Sequence, residues 1–158
     1  GVEALYLATP LGRRVGYWVY VYRYRGLLVD TGPPKARPFA PEAGLLFGGD
    51  LFLGVRASLA TPGFDLQALL QSLRRVLALK PRAFFCAHAG ALQAPLEALQ
   101  AKLDFLEGKR EEALRLKARG LTPEEVLRRL FGGESPLALL SGGGTSRLAF
   151  VEALMMEP

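Results

Sequence analysis

A layered α/β fold with a helical C-terminal extension is predicted by three features of the 158-residue sequence. Aromatic and β-branched residues cluster between Val15 and Val29; an apolar strand, a helix and a second strand succeed one another between Gly44 and Ala87; and beyond Pro95 the leucines recur at helical spacing. Strand, helix, strand in that order predicts a βαβ-type unit in a layered sheet, and a chain of this length buries a single substantial core.

The first of these features is a hairpin. Tyr17-Trp18-Val19-Tyr20-Val21-Tyr22 has strand composition, Arg25-Gly26 supplies the turn, and Leu27-Leu28-Val29 returns to end at Asp30-Thr31-Gly32. Pro33 and Pro34 donate no ladder bonds, so the stretch to Pro41 is predicted to be loop. A strand over Gly44 to Phe47 leads to Asp50. After the loop Thr61-Pro62-Gly63, residues Leu66, Leu69, Leu70, Leu73, Val76 and Leu77 form one helical stripe, with Gln67, Gln71, Arg74 and Arg75 opposite and Asp65 as its cap. Lys80-Pro81 ends that helix, Ala83 to Ala87 forms a buried strand, and His88-Ala89-Gly90 opens a loop.

The extension begins after Pro95, with Leu96, Leu99, Leu103 and Leu106 in register and the helix running on to Gly120, placed as a C-terminal stop. Thr122-Pro123-Glu124-Glu125 then combines an N-cap, a proline at the first helical position and a glutamate three residues after the cap, which starts a helix through Phe131. Ser135 to Gly144 reads as a glycine-rich linker, and Thr145 or Ser146 starts a last helix burying Leu148, Phe150, Val151 and Leu154.

Composition narrows the class. Half of the chain is hydrophobic, yet no apolar run reaches the roughly 20 residues that span a bilayer. The N-terminus also lacks the basic-then-apolar layout of a secretory signal, so a cytoplasmic protein without a membrane partner is expected. The single cysteine, Cys86, lies in an apolar strand and reads as a buried, inert thiol. The net charge of +5 comes from residues 1–93, with 11 Lys and Arg against 5 Asp and Glu; residues 94–158 hold 9 against 10. Because the positive charges are dispersed, a solvated surface is the commoner explanation, and nucleic-acid binding is the lesser reading. Isoleucine and asparagine are absent while Leu, Ala, Arg, Gly and Pro abound, a usage that suggests a GC-rich genome and fits a heat-adapted source.

Three polar residues stand at predicted strand ends: Asp30, Asp50 and His88. Sites in open α/β sheets are built at such ends, and a histidine with two carboxylates is a donor set suited to zinc, manganese or iron. Asp50 follows Gly48-Gly49, which lets a ligand approach the backbone closely. The plainer readings are an Asp that caps a turn and a lone histidine that serves structure.

The order of these motifs resembles the metallo-β-lactamase superfamily. Leu27 to Gly32 is similar to that family's early strand ending in Asp-Thr-Gly; Leu45 to Asp50 is similar to the later strand whose aspartate bridges two metals; and Phe84 to Gly90 is similar to the final strand and Gly-His-Gly turn, with Ala87 in place of the first glycine. The tail from Lys109 to Leu114, followed by the Thr122 helix, resembles the helical extension of the hydrolase branch, which includes glyoxalase-II-like and small-nuclease-like members. The family's His-x-His-x-Asp-His segment has no counterpart, since Pro33 to Gly49 fills that interval without a histidine.

The resemblance implies a metallo-β-lactamase-like α/β core over residues 1–93, incomplete or truncated in the middle, and a helical extension of the same domain over 94–158. It implies a hydrolase that uses two zinc ions in its complete form on a small-molecule ester, thioester or phosphodiester substrate. Asp50 and His88 would be metal ligands, with Asp30 supporting the site through hydrogen bonds. Two ligands hold zinc weakly, so a catalytically incompetent chain is expected. Omission of an internal segment, natural degeneration and deliberate removal would each leave this pattern. The Pro33 to Leu45 stretch, which reads as two pieces abutting, favours omission. The alternative is a non-catalytic binding or scaffold subunit, a homo-oligomer paired through an exposed sheet edge.

Overall fold

The computed structural model describes residues 2–7, 19–24, 27–29, 37–38, 44–140 and 144–157. They divide between two compact units, Gly1–Val55 with Ser72–Lys102, and Arg56–Gln71 with Leu103–Pro158.

The first unit holds two sheets. In one, β1 (Val2–Leu7), β2 (Val19–Tyr24) and β3 (Leu27–Val29) run antiparallel in that order, with Val2 opposite Tyr24 and Tyr22 opposite Val29. The β2–β3 pair has the antiparallel pairing that the predicted hairpin requires, while its Arg25-Gly26 turn and Val15 to Trp18 lie outside the described residues; β1 is an additional strand that the sequence reading did not anticipate. The other sheet has the order β4 (Arg37–Pro38), β5 (Leu45–Gly49), β6 (Ala83–Cys86), β7 (Gly90–Leu92). Its centre is the parallel β5–β6 pair, while β4 and β7 run antiparallel to their neighbours. Consecutive Leu46 and Phe47 are both buried, so β5 is covered on both faces, as central parallel strands are. Phe84 and Cys86 share one buried face of β6, and Phe85 stacks on Phe47 at 5.0 Å from the other.

In the chain, α1 (Leu66–Leu79) follows β5 and precedes β6, the predicted βαβ order; its residues from Ser72 onward belong to the first unit and Leu66–Gln71 to the second. Leu66, Leu70, Leu73 and Val76 are buried and Gln71, Arg74 and Arg75 exposed, the amphipathic division read from the sequence. Asp65 Oδ1 accepts the Ala68 N–H at 2.9 Å and caps the helix. At the other end Lys80 turns left-handed, with φ 48°, ahead of Pro81.

In the second unit, helices dominate. α2 (Pro95–Ala118) enters it at Leu103, followed by α3 (Pro123–Phe131), α4 (Pro136–Leu140) and α5 (Arg147–Met155). The predicted capping box is formed: Thr122 Oγ1 accepts the Glu125 N–H, and the Glu125 carboxylate accepts the Thr122 N–H at 2.8 Å. Leu106, Ala113, Val126, Val151 and Leu154 are fully buried, and Phe150 meets Phe131 edge-on at 6.0 Å. Among the described residues no helix is long and apolar enough to cross a membrane.

Several expectations are corrected. The stretch predicted as loop to Pro41 contains β4, and the loop predicted after His88 is a tight turn into β7. The linker predicted over Ser135 to Gly144 contains α4. Leu148 is half-buried rather than buried.

Candidate functional site

Parallel neighbours end at the same sheet edge, so the residues that follow β5 and β6 emerge side by side. The register places Gly49 beside Cys86, with an irregularity between Phe47 and Gly49. The ladder extends one bond past the strands, where the Ala87 N–H donates to the Gly49 carbonyl at 2.9 Å. Gly49 adopts φ 53°, a left-handed conformation natural to glycine, and the Leu51 N–H closes a turn on the Gly48 carbonyl at 3.0 Å. Asp50 sits in that turn. On the adjacent strand the chain reverses through Ala87, His88 and Ala89, and Gly90 opens β7 with φ 70°.

The two turns bring Asp50 Oδ1 within 3.2 Å of His88 Nε2, with the carboxylate 46% and the imidazole 22% exposed. Beneath them lies Cys86, fully buried. Its Sγ accepts the Ala89 N–H at 3.3 Å and donates to the Gly90 carbonyl at 3.5 Å, so the thiol ties together the turn that carries His88. Desolvation raises the thiol's pKa, and the nearby Asp50 charge adds to this against the lowering effect of hydrogen bonds from the Ala89 and His88 backbone. Cys86 is therefore a neutral structural thiol, as its apolar context predicts.

A carboxylate oxygen and an imidazole nitrogen that both bind one zinc tetrahedrally at about 2.0–2.2 Å lie roughly 3.3 Å apart. The 3.2 Å separation thus fits two corners of such a site, and it equally satisfies a direct polar contact between the side chains. Among the described residues no group of three or more His, Cys, Asp or Glu is arranged to hold a metal ion. Among the described residues the donors fit part of a metal site and do not complete one. Asp30 lies outside the described residues.

Sequence reasoning identified Asp50 and His88 but gave Cys86 no part in the site. Its position at the end of the strand, two residues before His88, was the available signal.

The mixed α/β architecture, with a βαβ unit whose parallel strands end beside an aspartate and a histidine, has a counterpart among solved structures. Among solved structures, the chain is similar to a metallo-β-lactamase family protein from Thermus thermophilus, with a TM-score of 0.53 and 21% identity. The likeness covers 97% of this chain and 44% of that one, so the chain spans less than half the length of its structural neighbour. No protein-family profile and no curated protein matches the sequence.

Proposed function

We propose that the chain carries part of the active site of a metal-dependent hydrolase acting on an ester, a thioester or a phosphodiester. Asp50 and His88 supply two ligands of a site that takes two zinc ions when complete. The observation that supports this reading is the 3.2 Å approach of Asp50 Oδ1 to His88 Nε2 across adjoining parallel strand ends. Bound metal in such a site lowers the pKa of a water and polarises the scissile group. The chain's own part is to hold a carboxylate and an imidazole in fixed register, through the Ala87-to-Gly49 bond and the Cys86-tied turn. By the family resemblance Asp30, which lies outside the described residues, would support the site by hydrogen bonding. With two ligands where catalytic zinc takes three and a water, the chain by itself is catalytically incompetent.

The test is a zinc titration of chelator-treated protein, with D50A and H88A beside the native chain. Weak, substoichiometric uptake that both substitutions abolish is expected. Uptake indifferent to either substitution would remove the ligand assignment. Tight stoichiometric zinc with brisk hydrolysis, in a sample whose mass is 17.2 kDa, would overturn the incompetence.

The direct Asp50–His88 contact also favours a second reading, in which the pair is a structural relic within a binding or scaffold subunit. That reading requires a self-associating chain, and a monomer by light scattering at high concentration would rule it out.

A further inference from the structure

In the second unit, Arg115 and Arg119 at the end of α2 and Arg129 of α3 line an open groove of about 420 Å³, together with Glu112, Leu116 and Ala118. The geometry follows from a short connection. Past Ala118 the Arg119 and Gly120 N–H groups donate back to the Leu116 and Lys117 carbonyls at 3.1 and 2.8 Å, and the Thr122 capping box starts α3 at once.

Two neighbouring charges are already engaged. Glu112, the carboxylate lining the groove, is held by Lys109 Nζ at 2.9 Å. Lys117 donates to the Met155 carbonyl at 3.0 Å and reaches Glu157 at 3.4 Å. The guanidiniums of Arg115, Arg119 and Arg129, by contrast, make no hydrogen bond or ion pair to any described residue. The dipoles of α2 and α3 favour basic residues in their last turns, which explains why cations occur there. They do not explain why three converge on one concavity while Arg128, in the same turn as Arg129, lies outside it.

We propose that this groove binds a phosphate-bearing anion. A guanidinium presents parallel N–H groups that match phosphate oxygens two at a time. Three such groups suit a ligand carrying two or more negative charges, such as a phosphomonoester or a pyrophosphate. Ala118, exposed beside the arginines, offers apolar surface to the ligand's body. The site owes nothing to the Asp50–His88 pair and stands whether or not that pair binds metal.

The experiment is calorimetric titration of the full chain with inorganic pyrophosphate at low and at physiological salt. It is repeated on R115Q, R119Q, R129Q and, as a control with the same charge change, R128Q. Binding by the native chain is expected to weaken about tenfold in each groove variant, the loss of a charged hydrogen bond, and less than about twofold in R128Q. R129K, which keeps the charge and loses the fork, should fall between. All of these positions are exposed, and unchanged thermal melts would show that the fold is retained. Competition with a short single-stranded oligonucleotide separates the sources. Displacement points to nucleic-acid phosphates and indifference to a free phosphorylated small molecule, both within the proposal. Absence of pyrophosphate binding at low salt, or an R128Q loss as large as that of R129Q, would overturn it.

Discussion

Gly48 lies so close to Phe84 that a Cβ built on it would approach ring carbons Cε2 and Cε1 at 2.7 and 2.8 Å. Real Cβ atoms do not come that near, and Phe84, with no exposed surface, has nowhere to retreat. The missing side chain at the β5 irregularity lets a buried aromatic ring lie against the backbone two residues before Asp50. The Gly-Gly pair ahead of the aspartate therefore serves packing as well as turn geometry.

Gly48→Ala is accordingly expected to destabilise the protein by about 2–3 kcal/mol, the scale of overpacking in a close-packed core. Urea unfolding reads this directly. Combining it with Phe84→Leu should cost less than the sum of the two single changes, because the smaller side chain relieves the overlap that the methyl creates. Strict additivity would show that the ring is not what excludes the methyl.

A second expectation concerns the entrance to α5. The Glu134 carboxylate accepts the N–H groups of Ser135, Arg147 and Leu148 at 2.8, 2.7 and 3.1 Å, while Ser146 Oγ accepts that of Ala149 at 3.0 Å. The first three N–H groups of α5 are thus satisfied by two side chains, one of them 13 residues upstream of the helix start. Desolvation acts to raise the Glu134 pKa, but the backbone donors and the Arg147 charge outweigh it and the net shift is downward. A lowered folded-state pKa contributes stability that is present above the unfolded value of about 4.3 and is lost as pH falls through the folded value. Glu134→Ala should cost about 1 kcal/mol at pH 7, as loss of a helix cap does. The gap in melting temperature between native and variant chains should close below about pH 4. A gap that is constant from pH 7 to pH 3 would mean that the ionised carboxylate is not the capping group.

What was legible in the sequence was what local chemistry or strand direction decides. The Thr122 capping box and the Asp65 cap need only neighbours within one turn, so their pattern is complete in four residues. Asp50 and His88 were legible as polar residues at the ends of apolar strands, but their spacing did not make them converge; the parallel pairing of β5 and β6 does that. The missed elements are those that partners create. β4 has two residues, one a proline, and exists through pairing with Leu46 and Phe47; β7 forms because the turn around Cys86 folds Gly90–Leu92 back along β6. Neither carries enough periodicity to announce itself. Leu96 keeps the helical register yet stays exposed, since periodicity fixes which residues share a face and not where along the helix the cover begins.

The last expectation follows from a buried cation. Lys102, on α2, retains only 4% of its surface, and burial lowers its pKa to about 8. In the unfolded chain a lysine titrates near 10.4, so between about pH 8 and pH 10 the unfolded state binds more protons and stability rises with pH. Below pH 8 both states are protonated and the fold bears the full cost of the buried ammonium, about 3 kcal/mol. Lys102→Met keeps the length and removes the charge. It should raise the unfolding free energy by about 2–3 kcal/mol at pH 7, an advantage that shrinks steadily from pH 8 to pH 10. Measuring native and variant chains together cancels the titration of the tyrosines and the other lysines. A variant less stable than the native chain at pH 7 would show that the interactions of the ammonium are worth more than its desolvation costs. The lysine would then be a structural tie and not a tolerated liability.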